Sequence, residues 1–453
     1  MSDHPGARRD GGLSNVRFVL TTPRVSSATR HCHFTNLCYL VPQPDSVNAG
    51  TFIFVYKKTS RVIGVDFQKE NLLHFLDLSS VPHHTRLEME VEVVLPVPVL
   101  NISSVNLPRQ DIEYPVFIMQ RLVHENLAHV LLDDLLPLFV TYERLCLGNI
   151  RKCTKALHLL LLDRPTPRDD FQSGFITRDR LTEDTLHCFD SAKAGLAKSA
   201  HFYDYGLTSE LPQGSMLGNP GVDLDGGDIR RFANFIRESF HQMATDDSIS
   251  ATDRERFTCK NSNTSGILLI RKRNRRILNE LEVLKAMSDA LGSQDIRSVS
   301  LEDNSLVEII CLVSQANLLV SVHGALLSTL LFLPVDSAVV EIFPYAINAS
   351  QPGLDVYRTL ATLPKMNLSY RAWENSFREN SEPPEQSAHS FDGGIAHLGV
   401  EEQQRIKEVK EKVPLVPCCH NPELKYWLYQ NTRVDIPSFY QTLVSAVRRS
   451  AIN

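Results

Sequence analysis

The sequence predicts an α/β protein whose C-terminal half carries a parallel, doubly wound sheet. Three observations lead there. Short apolar runs rich in Val, Ile and Leu recur after residue 265, a segment with helical periodicity follows each, and the turns between them hold charged and glycine residues. Strands that alternate with helices build a parallel sheet, because each crossover must return the chain to the same end.

Taken in order, GILLI (266–270) reads as a strand and LNELEVLKAMSDAL (278–291) as a helix. RSVSL (297–301) is a strand and SLVEIICLVSQA (305–316) a helix. NLLVSV (317–322) is a strand, ALLSTLLFL (325–333) a helix and AVVEIF (338–343) a strand. In such sheets ligands sit beyond the carboxyl ends of the strands. The turns at Arg271, at Glu302 and Asp303, and at His323 and Gly324 are therefore expected to line one crevice.

Upstream, residues 1–30 read as a flexible leader, and TFIFVY, RVIGVDF and MEVEVVL between 51 and 100 as β-rich runs. Apolar residues at helical spacing predict a helix from Asn126 to Leu147. ALHLLLLD (156–163) reads as a buried strand, and 228–243 as an amphipathic helix. The polar run 245–266 is the candidate interdomain linker. Residues 377–398 read as a loop, with two further helices closing the chain, and no internal repeat is visible.

A chain of 453 residues exceeds one compact core, at roughly 100–200 residues per domain. Its net charge of −6 lacks the basic footprint of a nucleic-acid binder. The basic run Arg271–Arg276 is too short to change that, although it suits one compact anion. No stretch reaches the ~20 apolar residues of a spanning helix, and the polar start MSDHPGARRDGGLSN shows no address. The nine cysteines form no CxxC pair and match no zinc motif. Cys32 and Cys38 are expected to be oxidised, bonding to each other being one option, while Cys418 and Cys419 are expected to pair with distant partners. Sequons begin at Asn101, Asn263, Asn348 and Asn367, the candidate glycosylation sites.

Three groups of residues could carry chemistry. On a helix, Asn126, His129 and Asp133 project from one face, and the last two form an i,i+4 pair within hydrogen-bonding reach. A carboxylate beside an imidazole suits proton transfer from a sugar hydroxyl. The same spacing also fits an N-cap asparagine, a core histidine and a solvated aspartate. The second group is Arg271, where a strand ends, and Arg275, where the next helix is expected to begin. Guanidinium groups beside a helix N-terminus make a phosphate site, and otherwise a solvated basic loop. The third is the turn His323-Gly324-Ala325, whose glycine would let backbone approach a ligand and whose free amides would face an anion. Alternatively the glycine serves a tight turn and the histidine packs. Asp223-Leu-Asp225 could hold a divalent metal, but it follows no clear strand and reads as a loop.

NLAHVLLDDLLPLF, SVSLED, LVSVHGALLSTLLFLP, VVEIFPYAIN, YRTLATLPKMNLSYRAW, CCHNPE and VDIPS resemble glycosyltransferase family 61, in the family's order, from about Cys32 to about Val447. The resemblance implies a GT-B-like fold, with two Rossmann-like lobes and a cleft between them. On that pattern residues 31–245 would be the acceptor-side lobe, 246–375 the nucleotide-sugar lobe, and 376–453 a polar loop with closing helices.

The family's N-x-x-H-x-x-x-D motif falls on Asn126, His129 and Asp133. The implied activity is inverting transfer of GlcNAc from UDP-GlcNAc, in β-1,4 linkage, to O-linked mannose on a protein such as α-dystroglycan. No metal or other cofactor is implied. Asp133 is then the expected base, with His129 orienting it or binding acceptor or diphosphate. Arg121, Asn126 and Asp134 are expected on the substrate side. Arg271, Arg275, His323, Gly324 and Ala325 are expected to hold the diphosphate, and Glu302, Asp303 and Glu341 to meet ribose or sugar hydroxyls. The resemblance places the protein in the endoplasmic reticulum lumen. The family pattern includes a membrane anchor and a fibronectin type III module, and neither is seen in this sequence. Alternatives are another UDP-sugar or acceptor (EGF-domain O-GlcNAc, or xylose), or an inactive protein that binds O-mannose.

Overall fold

The computed structural model describes residues 15–19, 31–40, 51–53, 109–119, 121, 123, 125–146, 150, 158–161, 185–194, 196, 201–204, 214–216, 222–260, 262–383, 392–414 and 421–450. RVIGVDF, MEVEVVL, the sequon at Asn101 and the pair Cys418 and Cys419 lie outside these residues. The chain divides into two compact units. One comprises Met1–Leu122, Pro137–Pro165 and Ile176–Lys198, the other Val123–Leu136, Thr166–Phe175 and Ser199–Asn453.

The first unit is built on a mixed sheet. Its strands are β1 (Asn15–Val19), β2 (His31–Leu40), β3 (Thr51–Ile53), β4 (Arg109–Ile112), β5 (Val116–Met119), β6 (His158–Leu161) and β7 (Leu186–Ala194). The order is β1-β2-β7-β5-β6, with β3 on β2 and β4 on β7. β2 is antiparallel to β1 and β7, whereas β5 runs parallel to both β6 and β7. Helix α1 (Leu136–Leu145) also belongs here from Pro137 onward.

Two expectations need correction. β1 falls inside the supposed flexible leader, paired from Asn15↔Thr35 to Val19↔His31. Cys32 and Cys38 lie six residues apart on the single strand β2. That separates their Cα atoms by about 20 Å at a strand's rise. A disulfide needs Cα atoms within about 7 Å, so these two cannot bond each other.

After its segment Val123–Leu136, the second unit carries a hairpin of β8 (Tyr203–Asp204) and β9 (Gly214–Ser215), then α2 (Gly226–Thr245) and α3 (Ala251–Phe257). There follow β10 (Gly266–Leu269), α4 (Glu280–Leu291), β11 (Ile296–Val299), α5 (Leu306–Val313), β12 (Leu318–Val322), a 3-10 helix (Ala325–Phe332) and β13 (Ala338–Phe343). α6 (Val356–Thr362), β14 (Ser369–Glu374), β15 (Ser381–Glu382), α7 (Val400–Lys407), α8 (Pro422–Leu428), β16 (Asn431–Thr432) and α9 (Ile436–Ser450) complete it.

Strands β10 to β14 form the expected parallel sheet in the order β11-β10-β12-β13-β14. The order reverses between β10 and β12, and a doubly wound sheet binds ligands at that switch point. β10, β12 and β13 are buried along their whole length, as strands covered on both faces must be. α4 and α9 cover one face, burying Val283, Met287, Phe439 and Leu443 against Leu268, Val320 and Val340.

The boundary expected at residue 245 falls elsewhere, because α2 belongs to this unit. Asp225 caps it, accepting from the amides of Gly227 and Asp228, and Asp228 returns the bond to complete a capping box. The Arg230 guanidinium donates to the carbonyls of Leu333 and Met366. A Cβ on Gly226 would come within 2.6 Å of the Pro364 carbonyl, so only glycine allows this approach.

The run 245–266 is not a linker either. It contains α3, capped by Ser250, and Cys259, which is disulfide-bonded to Cys311 of α5 across 52 residues. In the chain-entropy account, closing a loop of that size stabilises the fold by about 4 kcal/mol. Replacing Cys259 and Cys311 together by Ser should lower the unfolding free energy by about 2–4 kcal/mol in denaturant titration. Mass mapping that finds both as free thiols in native protein would remove the basis for that loss.

Candidate functional site

In the second unit, Arg271, Arg275 and His323 come together at the switch point. Residues His129–Leu135 are a π-helix rather than the expected α-helix, and the amide of Leu136 reaches the carbonyl of Leu131. Single π turns occur often at functional sites. Asn126 shows its capping character here, its Oδ1 accepting from the amide of Ala128 at 3.0 Å. His129 Nδ1 lies 2.6 Å from Asp133 Oδ2. The Asp133 side chain is only 4% exposed and that of His129 16%. Asp133 Oδ1 makes no hydrogen bond among the described residues, yet it is not among the atoms sealed from solvent. One carboxylate oxygen is thus held by the imidazole while the other remains able to take a proton.

Arg271 follows the end of β10, as expected. Arg275 does not stand at a helix N-terminus, since α4 begins only at Glu280. It sits instead in a left-handed turn with φ of 55°. That conformation costs a residue with a Cβ about 1–2 kcal/mol. The surrounding structure holds it there. Its amide donates to the Tyr429 carbonyl at 3.3 Å, and Nη1 donates to the His323 carbonyl at 3.0 Å. Its guanidinium carbon lies 4.5 Å from the centre of the Tyr429 ring, a cation–π contact. The buried Nε has no hydrogen-bond partner.

Arg271 makes no hydrogen bond or ion pair among the described residues. Burial, and then the like charge of Arg275, pull its pKa down to about 9, which leaves it charged at neutral pH. Burial lowers Arg275 as well. Two guanidinium groups held together without a bound carboxylate form a site that an anion would relieve.

Gly324 explains how they approach. Its φ of 160° is ordinary extended backbone, so glycine is not needed for conformation. A Cβ there would lie 3.1 Å from Nη1 of Arg275 and 3.2 Å from Nη1 of Arg271. The missing side chain is the space both guanidinium groups use. Ala325 opens the 3-10 helix beside them, and the amides that begin such a helix lack partners within it.

Glu341 differs from its expected role. It is fully buried with both oxygens engaged, Oε1 at 2.6 Å from His323 Nδ1 and Oε2 accepting from the Tyr370 hydroxyl at 2.6 Å. It is therefore placed to orient His323 rather than to meet a sugar hydroxyl. His323 stacks on Phe343 at 5.2 Å, and its Nε2 makes no hydrogen bond among the described residues. Glu302 and Asp303 are exposed on the turn after β11, where Asp303 is paired with Lys272 and accepts from Ser300. Asp225 is committed to the cap of α2 and to Lys365, as its reading as a loop residue required.

Arg121 is buried in the first unit, apart from this group in the division of the chain, and Asp134 is fully buried on the π-helix. Of the sequons, Asn263 and Asn367 are exposed, while Asn348 is half-buried with Oδ1 accepting from the Ser350 amide. Tyr357 on α6 was not singled out from sequence. It is buried, packs on His323 and lies in the field of both arginines, and a tyrosine on a short helix carries no pattern that separates it from core.

Residues 128–340 match the pattern of Glycosyltransferase 61. The chain is 35% identical over 429 residues to the protein O-linked-mannose beta-1,4-N-acetylglucosaminyltransferase 2 of Bos taurus, covering 92% of this chain and 67% of that one. The human protein of the same name is 35% identical over 427 residues, with 92% and 67% covered. The zebrafish (Danio rerio) protein is 32% identical over 433, with 93% and 68% covered. Among solved structures, the bacterial iron-containing dodecameric glycosyltransferase TibC aligns with a TM-score of 0.24 at 17% identity, over 54% of this chain and 61% of that one, too slight a likeness to bear on the fold. By its match to relatives along nearly its whole length, and by the pattern it carries from residue 128 to residue 340, the chain belongs to glycosyltransferase family 61.

Proposed function

We propose that this protein is an inverting glycosyltransferase that moves GlcNAc from UDP-GlcNAc, in β-1,4 linkage, to O-linked mannose on a protein. The observation that carries it is the half-buried Arg271 beside the buried Arg275, with no carboxylate hydrogen-bonded to either among the described residues, at the switch point of the parallel sheet. Such a pair suits a diphosphate, and the relatives are named for this transfer.

The chemistry follows from the donor. UDP-GlcNAc carries an α-linked sugar, so a β product requires one displacement with inversion. The mannose hydroxyl oxygen forms a bond to C1 of GlcNAc while the C1–oxygen bond to phosphate breaks, its electron pair leaving with UDP. The hydroxyl proton goes to Asp133 Oδ1, whose partner oxygen His129 holds. Arg271 and Arg275 neutralise the charge that builds on the diphosphate, and they are in place before it forms. His323, held by Glu341, presents Nε2 to the same group. This arrangement needs no bound metal or other cofactor.

A GT-B-like arrangement, with the second unit as the nucleotide lobe, is part of this reading. Its strand order, 2-1-3-4-5 among the unit's own sheet strands, supports that assignment. The disulfide Cys259–Cys311 and the exposed sequons at Asn263 and Asn367 suit the lumen of the endoplasmic reticulum. No helix among the described residues is long and apolar enough to cross a membrane.

The test is transfer from a panel of UDP-sugars to an O-mannosyl peptide, with the linkage read by NMR. The expected product is β-1,4-linked GlcNAc. Transfer of another sugar would retain the mechanism and change the substrate. Binding of the peptide without turnover of any donor would leave a lectin-like protein instead.

A further inference from the structure

Tyr357 stands among the charged groups of the site with no stated task. Its side chain is 3% exposed, and its hydroxyl makes no hydrogen bond among the described residues. The hydroxyl is not among the side-chain atoms sealed from solvent, so it is an oxygen that a ligand can reach and that no protein group occupies, and such a group on a buried ring calls for an explanation. The ring has one. It packs against His323 with centroids 5.5 Å apart and planes at 59°. Phenylalanine would serve that contact equally well, so packing does not account for the oxygen.

The surroundings do. Tyr357 lies in the fields of Glu341, Arg275, Arg271 and Asp133. Its ring packs on His323, whose carbonyl accepts from Arg275 Nη1 and whose neighbour Gly324 lies beside both guanidinium groups, which places the tyrosine at the cations suited to a diphosphate. We propose that the Tyr357 hydroxyl is a catalytic hydrogen-bond donor to the departing diphosphate, filled by substrate and unpaired without it. This rests on the glycosyltransferase reading above.

The role is that of a fixed donor, not of an acid. Burial first, and then the carboxylate of Glu341, hold the phenol well above its usual pKa, with Asp133 adding to the effect. The nearby arginines oppose the shift without cancelling it. The hydroxyl keeps its proton throughout, and the diphosphate leaves as the anion that the two arginines and this donor stabilise. The carboxylates' other partners are fixed elsewhere, since Glu341 is saturated by His323 and Tyr370 and Asp133 Oδ2 by His129. Asp133 Oδ1 is uncommitted but makes no hydrogen bond to Tyr357, so no side chain among the described residues accepts from that hydroxyl and a bound ligand can.

Tyr357→Phe provides the test, because it removes one oxygen and keeps the ring. The expected result is a fall in kcat of about 10–100-fold for transfer from UDP-GlcNAc to an O-mannosyl peptide. UDP affinity, measured by calorimetry, should weaken about 3–10-fold, on the scale of a neutral hydrogen bond. The melting temperature should stay level or rise, since no protein hydrogen bond is lost. Unchanged kcat and unchanged UDP affinity would overturn the proposal, as would a lowered melting temperature with activity lost only in proportion to unfolded protein. Should wild type transfer no sugar, the glycosyltransferase reading falls, and the UDP arm still decides the fate of Tyr357. Failure of wild type to bind UDP would end both.

Discussion

Asp133→Asn is expected to lower turnover at least about 100-fold, the scale for losing a general base, while leaving the fold and UDP affinity nearly intact. The substitution is close to isosteric, and the amide oxygen of Asn can still accept from His129 Nδ1 across the same 2.6 Å. What disappears is the basic oxygen. Asp133 Oδ1 is the atom free to take a proton, whereas Oδ2 is committed to the imidazole. His129→Ala should impair turnover less, since it removes the group that orients the base rather than the base. The measurement is kcat and donor KM for both variants, with UDP binding as the control for folding. Near-normal turnover in purified Asp133→Asn would transfer the base to His129.

The sheet of the second unit was legible because its strands are covered on both faces. GILL, LLVSV and AVVEIF are apolar apart from Ser321 and Glu341, and the structure ends each within a residue of where the run ends. β14 was missed for the converse reason. SYRAWE leaves Arg371 and Ala372 partly exposed, so it reads as irregular although it pairs along its whole length with β13. The position of Arg275 was misjudged because Ile277 and Leu278 look like the start of a helix. The chain there is pinned instead by Tyr429 and Thr432, more than 150 residues away, and no local pattern reports such a contact.

Composition misled in a similar way at 245–266, where a polar run conceals a capped helix and a disulfide to α5. At Gly324 the sequence pointed to the right residue for a different reason. The glycine was expected to admit a ligand or a tight turn, and the structure uses its missing Cβ to admit two guanidinium groups. Asn126, His129 and Asp133 are marked in the sequence by their helical spacing and by the family motif they match. Only coordinates separate the capping role of Asn126 from the pairing of the other two.

Arg271→Ala is expected to cut transfer by about 100-fold or more, as when one preorganised charge-stabilising donor is removed from an active site. As the sugar–phosphate bond breaks, negative charge accumulates on UDP, and a fixed cation lowers that barrier because it needs no reorganisation when the charge appears. Arg271 has the right character for this. It is charged at neutral pH despite a pKa pulled down to about 9 by burial and by Arg275, and no side chain among the described residues is bonded to it. A structural arginine would behave differently on removal. Here Arg271→Ala breaks no hydrogen bond and relieves repulsion between like charges, so the melting temperature should hold or rise while activity collapses. Arg271→Lys should restore little, because a point charge cannot reproduce the planar fork that binds two phosphate oxygens. With fixed cations serving the leaving group, wild-type activity should persist in EDTA. The assay is transfer to an O-mannosyl peptide by wild type and both variants, with and without chelator, beside a thermal melt of each. Two results would refute the account. One is loss of wild-type activity in EDTA with recovery on adding manganese, and the other is full rescue by Arg271→Lys.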